Sequence, residues 1–139
     1  MNTHKLSMAF IIGMLTVFFI TSSWAGPSAG KYPLMATKMH PGAEGTAIIT
    51  DENIRITAKG LKPNSVYTVW FVNMKPKKHE AGAGTAPYMF KTDASGNGSY
   101  AAPLYESPLG KWQILMIVLH PNGDPKDMKH MVGALSTKL

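Results

Sequence analysis

The chain has 139 residues, with 14 Lys and Arg against 8 Asp and Glu, for a formal net charge of +6, and it has no cysteine. That length fits one domain able to bury a core of its own. The absence of cysteine excludes disulfide staples, thiol catalysis, thiolate zinc sites and covalent haem attachment.

At the N-terminus, His4 and Lys5 precede an apolar run from Leu6 to Ile20, and the small-x-small pattern Ser23-Trp24-Ala25 follows. This pattern predicts a signal peptide over residues 1–25, cut before Gly26. The run is short for a membrane span of roughly 20 residues, so no stable membrane span is expected after cleavage. The expected compartment is periplasmic or secreted. Nucleic acid is a poor partner for such a chain, whose only arginine is Arg55. The remaining residues, 26–139, read as a single domain.

Past a loose lead from Gly26 to Pro33, short apolar runs recur between Gly, Pro, Asn and Asp, and none has a helical period. Strands are expected at Thr46–Thr50 and at Ile54–Ala58, where Ile54 and Ile56 share one face. Gly60–Ser65 is a corner. Val66–Met74 is a long β-branched and aromatic strand, and Lys75–Pro87 reads as an irregular loop. Tyr88–Thr92 and Ser99–Ala102 flank "DASGNG", a hairpin turn. Its Asp93, Ser95, Asn97 and Gly98 match the start of a calcium loop, but position twelve is Leu104 where a Glu is needed, so the turn reading is preferred.

Lys111–Leu119 is apolar on both faces, which predicts a central strand with its outer face covered by loops, a second sheet or a partner. Val132–Lys138 is the last strand. About seven short strands of this kind specify an all-β, antiparallel Greek-key β-sandwich.

Two resemblances refine that expectation. "GLKPNSVYTV", residues 60–69, resembles the Leu-x-Pro-x-Ser/Thr-x-Tyr corner of immunoglobulin-like and fibronectin-type sandwiches. It implies that the Tyr67 hydroxyl bonds back to the backbone near Leu61. Over residues 66–139 the chain also resembles the cupredoxins, small copper-binding sandwiches. "VWFVNMKPKKHE" is similar to their strand and first-histidine loop, and "HMVGAL" to their closing Met-x-Gly-x-hydrophobic. The resemblance implies His79 as the first histidine ligand, His120 or His130 as the second, and Met131 as the axial methionine. Their copper thiolate has no counterpart, because Val118-Leu119 stands before His120, so a type 1 centre cannot form.

Imidazole and thioether can still hold copper without a thiolate. The metal candidates are therefore His79, His120, His130 and Met131, with Met128 beside them and Met39-His40 as a weaker second pair. Each histidine also has an ordinary reading: His120 as a strand end, His130 as a solvated side chain, His79 as part of a lysine-rich loop. Met74, Met89 and Met116 fit core filling. "EAGAGTAP", residues 80–87, lacks the Lys-Ser/Thr of a phosphate loop. No serine sits on a hydrolase elbow, and Asp124 with Asp127 fits a solvated loop better than an acid/base pair, so no enzymatic activity is expected. Two functions remain: copper binding or handling through His and Met, or a metal-free immunoglobulin-like binding or assembly module. The second would dock an acidic exported protein through Lys75, Lys77 and Lys78.

Overall fold

The structure, a computed structural model, describes residues 30–139. The expected leader, residues 1–25, lies outside the described residues. Nine strands form among the described residues: β1 (Gly30–Ala36), β2 (Glu44–Ile49), β3 (Asn53–Lys59), β4 (Val66–Asn73), β5 (His79–Gly82), β6 (Met89–Lys91), β7 (Gly98–Pro103), β8 (Ile114–His120) and β9 (Val132–Lys138). Among the described residues no helix is long and apolar enough to cross a membrane.

Every pairing is antiparallel, and the strand order is β5-β4-β8-β9-β1-β2-β3-β7, with β6 also on β4. The sheet curls so that β1, β2, β3 and β7 face β4, β8 and β9 across one core. The chain changes layers between β3 and β4, between β6 and β7 and again between β7 and β8, the over-and-back path of a Greek-key sandwich. The core draws Leu34, Ile49, Ile54, Ile56, Tyr67, Val69, Phe71, Leu115, Ile117 and Leu135 from both layers. Period-two alternation generates this face: β3 reads exposed-buried throughout its seven residues.

Three departures from expectation have physical causes. The supposed N-terminal lead holds β1, which pairs with β2 from Gly30 to Met35 and with β9 only at Met35 and Ala36. Pro33 is tolerated because β1 is bonded on one side alone along that stretch. The Lys75–Pro87 loop contains β5, whose composition, "HEAG", carries no β-propensity; the long neighbour β4 imposes the extended form by pairing with it from Trp70 to Asn73. The greasiest strand is central as expected, between β4 and β9, but it starts at Ile114 and leaves Trp112 in the preceding turn. Its outer face is closed largely by the chain itself. Val118 and His120 are buried there beside Thr68 of β4. Trp70 donates its indole N–H to the Thr68 hydroxyl (2.7 Å), and the Tyr88 ring leans on Trp70.

The corner at residues 60–67 forms as its sequence implies. The Lys62 backbone N–H donates to the Tyr67 hydroxyl at 2.9 Å. The neighbouring DASGNG turn locks against it. Asp93 accepts the backbone N–H groups of Ser95 and Asn97, and the Leu61 N–H donates to the Gly96 carbonyl. Gly96 has φ of +84° and sits so close to the Leu61 carbonyl that a Cβ would clash with it. The Asp93 carboxylate is thus consumed by turn amides, which also hold its pKa below the usual carboxylate value. The calcium-like pattern is a tight turn, but the strands it joins do not form the expected hairpin, because β6 pairs with β4 and β7 with β3 and the turn carries the chain between layers.

Removing the Tyr67 hydroxyl should leave the Lys62 N–H without its acceptor. Tyr67→Phe is expected to lose about 1–3 kcal/mol of stability in urea melts, while Tyr105→Phe, at a side chain 93% exposed, should match the parent protein.

Candidate functional site

The register of β4 places the candidate residues at two separate ends. Val66, the first residue of β4, is opposite His120, and Asn73, the last, is opposite His79. Seven residues of extended chain at about 3.3 Å each separate these positions by roughly 20 Å. His120, His130 and Met131 lie at the end where β4 starts, called here the loop end, together with turns 37–43, 60–65 and 92–97. His79 lies at the other end, the basic end, with Lys75, Lys77 and Lys78. The four expected ligands are therefore not brought together. Among the described residues no three His, Asp or Glu side chains converge as a metal cage.

At the loop end the two histidines have different environments. His120 is 1% exposed, and its Nε2 lies 2.6 Å from the Thr68 hydroxyl. Because Thr68 already accepts from Trp70, its own proton is available for the His120 ring. The other ring nitrogen, Nδ1, is buried without a partner among the described residues. His130 is exposed and donates from Nδ1 to Asp127 Oδ2 at 2.7 Å. That hydrogen bond is the main reason the Asp127 carboxylate is pulled down to about 2, helped by the backbone N–H of Lys129. In the neutral tautomer with Nδ1 protonated toward Asp127, Nε2 carries the lone pair, the arrangement in which a carboxylate orients a metal-binding imidazole. His130 and Met131 border an open hollow with Pro121, Asn122 and Val132. The loop is preorganised by its own Asx turns: Asn122 accepts from the Asp124 N–H, Asp124 from Lys126, and Asp127 from Lys129 and His130.

His40, the weaker sequence candidate, is part of the tyrosine corner. Its Nε2 sits 3.0 Å from the Tyr67 hydroxyl, which accepts from Lys62 and so has its own proton to give. Its Nδ1 is buried and unpartnered among the described residues. Burial, and then the charge of Lys62, hold its pKa below the usual imidazole value.

At the basic end, His79 is stacked on Trp112, with centroids 5.7 Å apart and planes at 17°; Trp112 in turn stacks on Phe71 at 6.2 Å and 21°. The turn after β4 is held by side chains that mimic a strand. Gln113 Oε1 accepts the N–H groups of Met74 (2.6 Å) and Lys75 (3.2 Å), and Gln113 Nε2 donates to the Lys75 carbonyl. Asn73 accepts from the Gln113 N–H and donates to the Lys111 carbonyl. Lys75, Lys77 and Lys78 are exposed, and none of them joins an ion pair among the described residues. The sequence signals the lysines, whereas the Gln113 clamp, 38 residues from Lys75, follows only from the β4–β8 pairing.

No family model, no curated protein and no solved structure matches the chain. Function is therefore read from the residues and their geometry.

His40 gives a pH dependence whose sign follows from its lowered value. The unfolded chain binds the His40 proton more readily than the folded one, so its contribution is present above the ordinary value of 6.5 and is lost as pH falls through the folded value. Urea melts are expected to show lower stability at pH 5 than at pH 7.5, with a shallower slope in His40→Gln. An unchanged slope in that variant would exclude His40 as the titrating group.

Proposed function

We propose that the chain is an exported, non-enzymatic binding or assembly module that docks an acidic segment of another exported protein through its basic end. The single observation that carries this reading is the lysine turn 74–78, clamped at its start. Gln113, itself held by Asn73, fixes the backbone where the turn begins, at Met74 and Lys75, and Lys75, Lys77 and Lys78 project from the turn without counter-charges among the described residues. A charged surface held in one conformation loses little entropy on binding and steers an oppositely charged partner. His79 supports the same end by lying flat on Trp112.

A second reading keeps copper at the loop end, with the ligand set reduced. The Asp127–His130 bond favours it, since it fixes the tautomer that leaves Nε2 open beside Met131 and near Met128 in sequence. His120 would contribute only after its ring is drawn from Thr68. His79 belongs to neither version of that site. The cupredoxin likeness would then mark a scaffold that binds copper at its loop end by other donors.

Two measurements separate the readings. In fluorescence anisotropy with labelled poly-L-glutamate, the protein should bind at low salt and lose affinity as ionic strength shortens the Debye length to about 8 Å. Lys77→Glu with Lys78→Glu should weaken binding roughly tenfold or more, and equal affinity would sink the docking reading. In equilibrium dialysis with Cu(II) and Cu(I), the copper reading expects stoichiometric uptake that is lost in His130→Ala with Met131→Leu and retained in His79→Ala. Absence of uptake would remove it.

A further inference from the structure

We infer that β5 and the groove beside it receive an extended acidic peptide carrying one large apolar side chain, which adds as a strand to the edge of β5. This rests on the docking reading and names its mode. Among the described residues β5 ends the strand order and pairs with β4 alone. The Ala83 N–H donates to the Val69 carbonyl of β4. Because backbone direction alternates along a strand, the N–H and C=O groups of Glu80 and Gly82 point away from β4, toward the open side. That row of unpaired groups is a template for another strand.

The open side of β5 borders a groove of about 210 Å³, lined among others by Phe71, Gly82, Leu104, Tyr105 and Trp112. The sandwich is sewn shut just above it. The Tyr100 hydroxyl donates to the Ala83 carbonyl at 2.5 Å, and Gly84 packs so tightly on Ala102 that a Cβ would clash. Below that stitch the seam parts, and the stacked rings of Phe71 and Trp112 form its wall. Tyr105 stands 93% exposed at the margin. Ala81 and Gly82 keep side chains short, so a second backbone can approach β5 closely. The volume suits one anchoring side chain, while the remaining residues of the peptide run along the edge.

Charge selects the occupant. Lys75, Lys77 and Lys78 lead directly into β5; Glu80 lies on it, and Glu106 is paired with Lys111 across the groove. The lysines outnumber the one unpaired carboxylate there, which favours an acidic segment. A second copy of this chain meeting β5 edge to edge would bring its own three lysines alongside, a like-charge arrangement that deters self-pairing.

The test is a titration of ¹⁵N-labelled protein with a short synthetic peptide alternating Glu and Val around one Phe. Strand addition expects shifts at the Glu80 and Gly82 amides and the Trp112 indole, and loss of binding by the same peptide with N-methylated amides. Glu80→Pro removes an outward N–H without touching a β4 bond and should cost roughly tenfold in affinity, and Tyr105→Ala severalfold. Shifts confined to residues 75–78, equal binding by the N-methylated peptide, absence of binding, or a peptide-independent dimer would each overturn strand addition. If Lys77→Glu with Lys78→Glu weakens binding while Glu80→Pro does not, docking stands and this mode falls; if the lysine reversal changes nothing, the docking reading itself falls.

Discussion

Seven consecutive pairs join β4 to β8, from Val66 opposite His120 to Val72 opposite Ile114, and the rest of the molecule depends on that register. A chain without cysteine has no crosslink to fix its layers, so the ladder and the core it carries must do so. The odd-numbered residues Tyr67, Val69 and Phe71 point inward with Leu119, Ile117 and Leu115, and all are buried. A slip of β8 by one residue would turn Leu115, Ile117 and Leu119 outward and bring Val118 and His120 inside. The same ladder fixes the other edge of β4, where β6 and β5 pair in succession along one strand. It also carries Gln113 to the turn after Asn73, so the clamp on the lysine turn is a consequence of core register.

The register also explains why a plausible constellation of ligands disperses. Order along the chain suggested one site made from His79, His120, His130 and Met131, but β4 is long enough to hold its two ends about 20 Å apart. The histidines then take their properties from their surroundings. His120 is an interior side chain bonded to Thr68, His130 is a solvated side chain oriented by Asp127, His40 completes a tyrosine corner, and His79 is an aromatic plate on Trp112. Among the described residues only His130 offers a nitrogen lone pair to solvent with its partner nitrogen already committed.

Much of the fold was legible because it follows local rules. Period-two alternation gave β3, β-branched and aromatic content gave β4, and Leu61-x-Pro-x-Ser-x-Tyr67 gave the corner. The Asp-x-x-Gly-Asn-Gly run gave the turn between β6 and β7 though not their pairing, since β6 pairs with β4 and β7 with β3. β1 and β5 were not legible: Pro33 and the sequence His79-Glu80-Ala81-Gly82 argue against strands, and pairing with neighbours overrides that preference. Nine strands arise where about seven were expected for this reason. At the candidate site the residue types were visible but their grouping was not, since grouping depends on which positions of β4 face which neighbours. The Gln113 clamp and the Trp112 stack join segments separated by more than 30 residues, and no local pattern announces such contacts.

The two ends differ in how fully they satisfy themselves. At the loop end, turn after turn folds its polar groups inward: Asp93 onto amides, Asp127 onto His130 and Lys129, Tyr67 onto Lys62 and His40. At the basic end Gln113 fixes the backbone at Met74 and Lys75, yet among the described residues its lysines have no carboxylate partners and one strand edge has no neighbour, and an aromatic-walled seam opens beside it. Interaction energy comes from groups that are held in place but still unsatisfied, because their ordering cost has already been met in the folded domain. The basic end meets that condition in charge, in backbone hydrogen bonding and in apolar surface together, whereas the loop end meets it at the single imidazole of His130.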